Sequence, residues 1–245
     1  MKIALLGYGK MGKVIERIAL ERGHEIVLRK GSSGAFDGLE NADVAIDFSV
    51  PDAAVGNISA CLNSKVPVVS GTTGWLDQYE KMTALCDEKQ GAFIYGSNFS
   101  LGVNLFFEIN EYLAKMMAKF PQYKASMEEI HHTQKLDAPS GTAITLAKGI
   151  IDYSDYSSWA LKNATRGEAD TSDCELAKQI LIDAKRIENV PGTHSVVYNS
   201  AVDAIEIKHT AHNREGFALG AVIAAEWLFG KTGIFTMRDV LGLGR

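Results

Sequence analysis

The 245 residues are 46% hydrophobic and 22% charged, proportions that suit a globular chain with a sizeable core and exclude a disordered or fibrous one. A formal net charge of −5 offers nucleic acid no general attraction, so an anionic ligand has to be met by a few local cations. The opening apolar run, MKIALLG, is interrupted by glycine too early for a signal peptide or a membrane span, which predicts a cytoplasmic protein without membrane partners.

In chain order, the first half alternates short apolar runs with helical patterns. KIALLG is followed by a helix from about Lys10 to Arg22, then EIVLR, VAIDF, a helix after Pro51, VPVVSG, a helix after Trp75, and AFIYGSN. Such alternation predicts a parallel sheet wound with helices, whose glycine- and serine-rich loops gather at its carboxyl edge. After Leu101 the pattern changes to a long amphipathic stretch, Val103 to Phe120, then SMEEIHH, a loop, a helix from about Ser140 to Tyr153 and a polar segment. Alternating runs at 185–190, 194–200 and 203–210 predict strands of a mixed or antiparallel sheet, before a final apolar helix, ALGAVIAAEWLFG. The fold class expected is therefore α/β: a Rossmann-type parallel-sheet domain plus a central α+β domain with an open mixed sheet. Cys61, Cys86 and Cys174 are widely separated, so buried inert thiols are expected and no disulfide framework.

Gly7, Gly9 and Gly12 fit G-x-G-x-x-G directly after a strand and at the opening of a helix, the context in which that pattern signifies a dinucleotide site. The first glycine allows the tight turn, the second lets backbone approach a pyrophosphate, and the third lets helix pack on strand. An NAD-preferring site usually ends its second strand with an acid, but Leu28, Arg29 and Lys30 stand there. Two cations where a 2′-phosphate would lie predict that NADPH is accepted, with a solvated basic turn as the competing reading.

EIHHTQKLDAPSGTA, residues 129–143, concentrates the most chemistry. His131, His132 and Lys135 supply possible cations or proton donors; Ser140 is a natural N-cap, and the amides of Gly141 and Thr142 with the threonine hydroxyl suit a carboxylate. The alternative is one packed and one exposed histidine on opposite strand faces beside a solvated lysine. No third ligand at suitable spacing supports zinc.

The same stretch resembles the signature of the 4-hydroxy-tetrahydrodipicolinate reductase (dihydrodipicolinate reductase) family. DFSVP at 47–51, GTTGW at 71–75, SNFSLGVN at 97–104, RGE at 166–168, VPGTHSV at 190–196, HTAHNREGFALGA at 209–221 and FTMRDVLGL at 235–243 follow in the family's order. The glycine loop is one residue shorter than the family's common form, and Leu28 stands where an acid often sits, departures that bear on cofactor grip. The resemblance implies a dinucleotide-binding domain of 1–100 and 212–245, a substrate-binding and oligomerisation domain of 101–211, and a homotetramer. It implies NADPH or NADH as cofactor, lined by Gly7, Tyr8, Gly9, Lys10, Met11 and Gly12, by Gly71, Thr72 and Thr73, and by Gly96, Ser97, Asn98 and Phe99, with Arg29 added by the charge argument. It assigns a small dicarboxylate substrate to His132, Gly141 and Thr142, beside Ser140, and proton transfer to His131 and Lys135. A catalytically silent nucleotide sensor is the rival reading; its mark would be an eroded donor cluster, and the cluster is intact.

Overall fold

A computed structural model describes residues 1–32, 34–162, 178–213 and 215–243. It divides into two compact units, Met1–Leu101 with Glu215–Arg245, and Gly102–Arg214.

In the first unit six strands form a parallel sheet in the order β2-β1-β3-β4-β5-β11. These are β1 (Lys2–Leu6), β2 (Glu25–Lys30), β3 (Val44–Asp47), β4 (Val68–Ser70), β5 (Ala92–Tyr95) and β11 (Gly233–Phe235). The strands read as nearly continuous apolar runs because helices cover both faces. Ile3 and Leu5 point into one core with Ile15 and Ile18 of α1 (Lys10–Glu21), while Ala4 and Leu6 point into the other with Ile58 and Leu62 of α2 (Pro51–Asn63). Met82 and Cys86 of α3 (Tyr79–Lys89) complete the second core. The apolar helix Glu215–Leu228 buries Ala218, Ala221, Val222 and Ala225 in the first. Its Gly220 is required: a Cβ there would lie 1.7 Å from the Phe99 carbonyl oxygen. Cys61 and Cys86 are buried, and burial raises both thiol pKa values, that of Cys86 to about 11.

The second unit has a mixed sheet in the order β10-β9-β6-β8-β7. Its strands are β6 (Lys124–His131), β7 (Ser158–Leu161), β8 (Gln179–Arg186), β9 (Gly192–Asn199) and β10 (Ala204–Ala211). α4 (Leu101–Met117) and α5 (Gly141–Ile151) contribute Phe106, Leu113, Leu146 and Ile150 to a core completed by Met127, Ile180, Ile182 and Val196. The expected strand at 185–190 is misplaced. The strand lies earlier, at Gln179–Arg186, and the chain turns at Asn189, whose φ is +61°, leaving Ile187 47% exposed. β7 lies within the stretch read only as polar. RGE at 166–168, Cys174 and Arg214 fall outside the described residues.

Candidate active site

Strand order reverses between β1 and β3, and open α/β sheets bind ligands at such a switch point. A cavity of about 420 Å³ lies there, lined by Gly7, Tyr8 and Gly9 after β1, Lys30 at the end of β2, and Phe48 to Val50 after β3. Gly7 has φ +97°, and a Cβ on it would meet the Phe48 carbonyl oxygen at 2.2 Å; one on Gly12 would meet the Gly7 oxygen at 2.3 Å. Position 9 is different: a Cβ there meets nothing within 4 Å, so the chain leaves open space in front of the helix. Gly9 is also the N-cap of α1, with no side-chain cap and no acid in the first turn, so the leading amides remain available to an anion. These features fit a dinucleotide pyrophosphate.

Asp47 organises the neighbouring loops. It is fully buried, and its carboxylate accepts hydrogen bonds from Ser49 Oγ at 2.7 Å and from Asn57 Nδ2, Ser70 Oγ and Thr72 Oγ1 at 2.8 Å each. Thr72 in turn accepts from the Ser49 amide at 2.8 Å. Of the expected cofactor residues, Thr72 is thus committed internally and 5% exposed, whereas Gly71 and Thr73 border it on more open backbone. Phe99 is 1% exposed, its ring 5.7 Å from that of Phe48 and its carbonyl packed against Gly220. Asn98 Oδ1 accepts from the Ser100 amide at 2.9 Å. Arg29 is not among the cavity's lining residues; its guanidinium is bound to Glu16 of α1, with Nε donating at 2.7 Å. Lys30 is buried, its ammonium 4.9 Å from the centre of the Phe36 ring.

The second unit carries a buried polar cluster that follows from strand register. β6 and β9 run antiparallel with Glu129 opposite His194, and β6 and β8 run parallel with His131 opposite Arg186. Glu129 is fully buried and accepts the Ser140 amide at 3.0 Å and 3.2 Å and Arg186 Nη2 at 3.2 Å. Its Oε2 lies 3.7 Å from both His131 Nδ1 and His194 Nε2. Burial pushes the Glu129 pKa up, but the nearby His194 ring, the hydrogen bonds from Ser140 and the charge of His131 outweigh it and bring the value to about 2. For His131 burial dominates; against the pull of Glu129 it lowers the pKa to about 4. His131 is 8% exposed, and Gly192 makes room for it, since a Cβ there would lie 3.2 Å from Nε2.

Arg186 also ties down the following loop. Nε donates to the Lys135 carbonyl at 3.2 Å and Nη2 to that of Asp137 at 2.5 Å, while Lys135 Nζ is paired with both Asp137 oxygens at 2.8 Å and 2.9 Å. His132 lines a cavity of about 430 Å³ with Glu188 and Asn213. Ser140 caps α5 as its residue type predicts, its Oγ accepting from the Ala143 amide at 3.2 Å and lying 3.1 Å from His194 Nε2. It is 3% exposed, so it acts by shaping the helix start, where exposed Gly141 and half-exposed Thr142 present the first-turn amides.

Glu129, His194 and Arg186 are the residues that local spacing did not reveal. The zinc argument missed His194 because a neighbouring strand supplies it: among the described residues, Glu129, His131 and His194 bring ligand atoms within 4.8 Å of one another. Both Glu129 oxygens already accept hydrogen bonds, whereas Nδ1 of His131 and Nδ1 of His194 are buried without a hydrogen-bond partner among the described residues. Glu129 heads the 129–143 stretch, and alternation along β6 was the available signal, because it points the same way as His131.

A glycine-loop dinucleotide site at a switch point, joined in one chain to an α+β unit with a buried acid–imidazole cluster, defines a pyridine-nucleotide-dependent oxidoreductase. Family models described as dihydrodipicolinate reductase, N-terminus, and dihydrodipicolinate reductase, C-terminus, match residues 1–99 and 102–241. The chain is 55% identical to a 4-hydroxy-tetrahydrodipicolinate reductase of Christiangramia forsetii over 98% of each. It is 32% identical to that of Neisseria gonorrhoeae, covering 99% of this chain and 98% of the relative. In fold it is similar to the dipicolinate-bound dihydrodipicolinate reductase from Paenisporosarcina sp. TG-14, with a TM-score of 0.74 at 22% identity over 96% and 97% of the two chains. The chain belongs to the dihydrodipicolinate reductase family.

Proposed function

We propose that this chain reduces 4-hydroxy-tetrahydrodipicolinate to tetrahydrodipicolinate, a step of diaminopimelate and lysine synthesis, with NADPH or NADH as reductant. The observation that carries the reading, beside family membership, is the intact Glu129–His131–His194–Arg186 cluster next to the open N-terminus of α5. A silent sensor has no use for it. The substrate loses its ring hydroxyl as water, and a nicotinamide nucleotide held by the glycine loop would supply the hydride for C4 of the ring. What remains for the protein is to hold two carboxylates and to deliver one proton to carbon.

In this reading the amides of Gly141 and Thr142, the Thr142 hydroxyl and His132 hold the carboxylates. Gly7 to Gly12, Gly71 to Thr73 and Gly96 to Phe99 hold the nucleotide. His131 donates the proton and Lys135 adds positive charge beside it. With its pKa near 4, His131 is neutral in the free protein at neutral pH. A dianion bound alongside favours the imidazolium, so substrate binding itself loads the acid. Cytoplasmic location and a homotetramer belong to the same proposal.

The test is a coupled assay in which the synthase that condenses pyruvate with aspartate semialdehyde generates the unstable substrate, and oxidation of each reduced nucleotide is followed. Turnover supports the reaction. No turnover from folded protein that binds nucleotide would overturn it.

A further inference from the structure

Arg29 is the penultimate residue of β2, the strand that ends beside the nucleotide cavity, yet an incoming anion does not find its guanidinium free. Glu16 holds it. Oε1 accepts from Arg29 Nε at 2.7 Å and from Nη2, and Oε2 accepts from the Tyr8 hydroxyl. Tyr8 lines the cavity, so the chain of contacts runs from the cavity wall to the arginine. The Glu16 side chain is 14% exposed, against 44% for Arg29, so the carboxylate is the fixed member of the pair. The hydrogen bonds from Arg29 and Tyr8 lower its pKa, keeping it ionised.

Folds of this kind usually read the adenosine ribose with an acid at the end of the second strand and accept a 2′-phosphate with an arginine nearby. Here β2 ends Leu28-Arg29-Lys30 with no acid at that end, but α1 carries one to the arginine. Lys30, the other cation, is packed over Phe36. We propose that Glu16 sets nucleotide choice: by holding Arg29 and placing a negative charge beside the cavity, it makes a 2′-phosphate compete for the guanidinium and keeps NADH a good reductant. This rests on the reading of the cavity as the dinucleotide site.

The experiment measures dissociation constants for NADH and NADPH by their fluorescence, and for AMP and its 2′-phosphorylated form, which isolate the phosphate from the rest of the nucleotide. It compares wild type, Glu16→Gln, Glu16→Ala and the double variant Glu16→Gln/Arg29→Ala. Glu16→Gln leaves an amide oxygen for Arg29, and Glu16→Ala places the best helix former in α1, so at least one of them retains the fold. The expected result is that each raises the NADPH-to-NADH affinity ratio about tenfold, the worth of one charge-assisted hydrogen bond released to the phosphate. The AMP pair should move with it, and the gain should vanish in the double variant. Ratios within about twofold of wild type, in variants that still bind NADH, would overturn the proposal, as would a gain that survives loss of Arg29. Wild-type protein that binds neither nucleotide would instead overturn the reading of the cavity, and the proposal with it.

Discussion

Replacing His131 by glutamine tests the buried cluster through its response to acid. Burial holds the imidazole near pKa 4 in the fold, whereas histidine in an unfolded chain titrates near about 6.5. The unfolded state therefore takes up the proton first. Stability from this group is complete above about pH 6.5 and is lost as pH falls through the folded value of about 4. At about 1.36 kcal/mol per unit of pKa, the loss between about pH 7.5 and about pH 4.5 comes to roughly 2.5 kcal/mol. The side chain is only 10% exposed, so solvent screening takes little from that figure. Glu129 contributes in a lower window: with a folded pKa of about 2 against an ordinary 4.5, its stabilisation is lost below that of His131. Urea unfolding followed by circular dichroism at the two pH values should show wild type losing roughly 2.5 kcal/mol more than His131→Gln. Parallel declines would refute the reasoning, because they would mean that the ring titrates in the fold as it does in the unfolded chain.

The same variant should lower kcat by roughly 10²–10⁴ with KM changed far less, the usual effect of one acid–base group; unaltered turnover would remove His131 from the chemistry. Thr142→Val deletes a carboxylate donor used before the transition state, so KM for the dicarboxylate should rise roughly tenfold with kcat retained, and steady-state kinetics would expose a large kcat loss instead. Asp47→Asn puts an amide donor against the hydroxyl and amide donors that now bond to the carboxylate. It should cost roughly 2–4 kcal/mol in denaturant unfolding and weaken nucleotide binding, and a variant as stable as wild type would contradict the role given to this residue.

The parts of the molecule legible in the sequence are those set by neighbours in the chain. The glycine loop, the continuous apolar strands of the first sheet and the Ser140 cap each depend on a few adjacent residues, and each sits where its pattern placed it. The failure at 185–190 has a local cause too: Ile187 and Val190 imitate a strand edge, but Asn189 takes a left-handed conformation and turns the chain back toward β9. Glu129, His194 and Arg186 were illegible for another reason. Their meeting depends on which strands pair and in what register, and nothing within a short window of sequence states that β6 lies between β8 and β9. Arg29 marks the same limit. The cation was visible, but its capture by a glutamate on another element was not.

The register that hid the cluster also explains why it is buried. Along β6 the inward positions run Ala125, Met127, Glu129, His131, and along β9, in the opposite direction, Tyr198, Val196, His194. The face that forms the apolar core beneath α4 and α5 thus turns polar at the same end of both strands, beside the start of α5. A carboxylate there must be paired, and the Ser140 amide and Arg186 pair it without protonating it. The outcome is a fixed negative charge beneath an imidazole that burial keeps neutral. Such a ring gains a proton only when something outside the fold favours the cation, and a bound dianion does so. By reciprocity, whatever the dianion adds to the proton affinity of His131, the proton adds to the dianion's affinity for the site. Glu129 keeps the ring within reach of that change: without its charge, burial alone would drive the imidazole further from the protonated state the reaction needs.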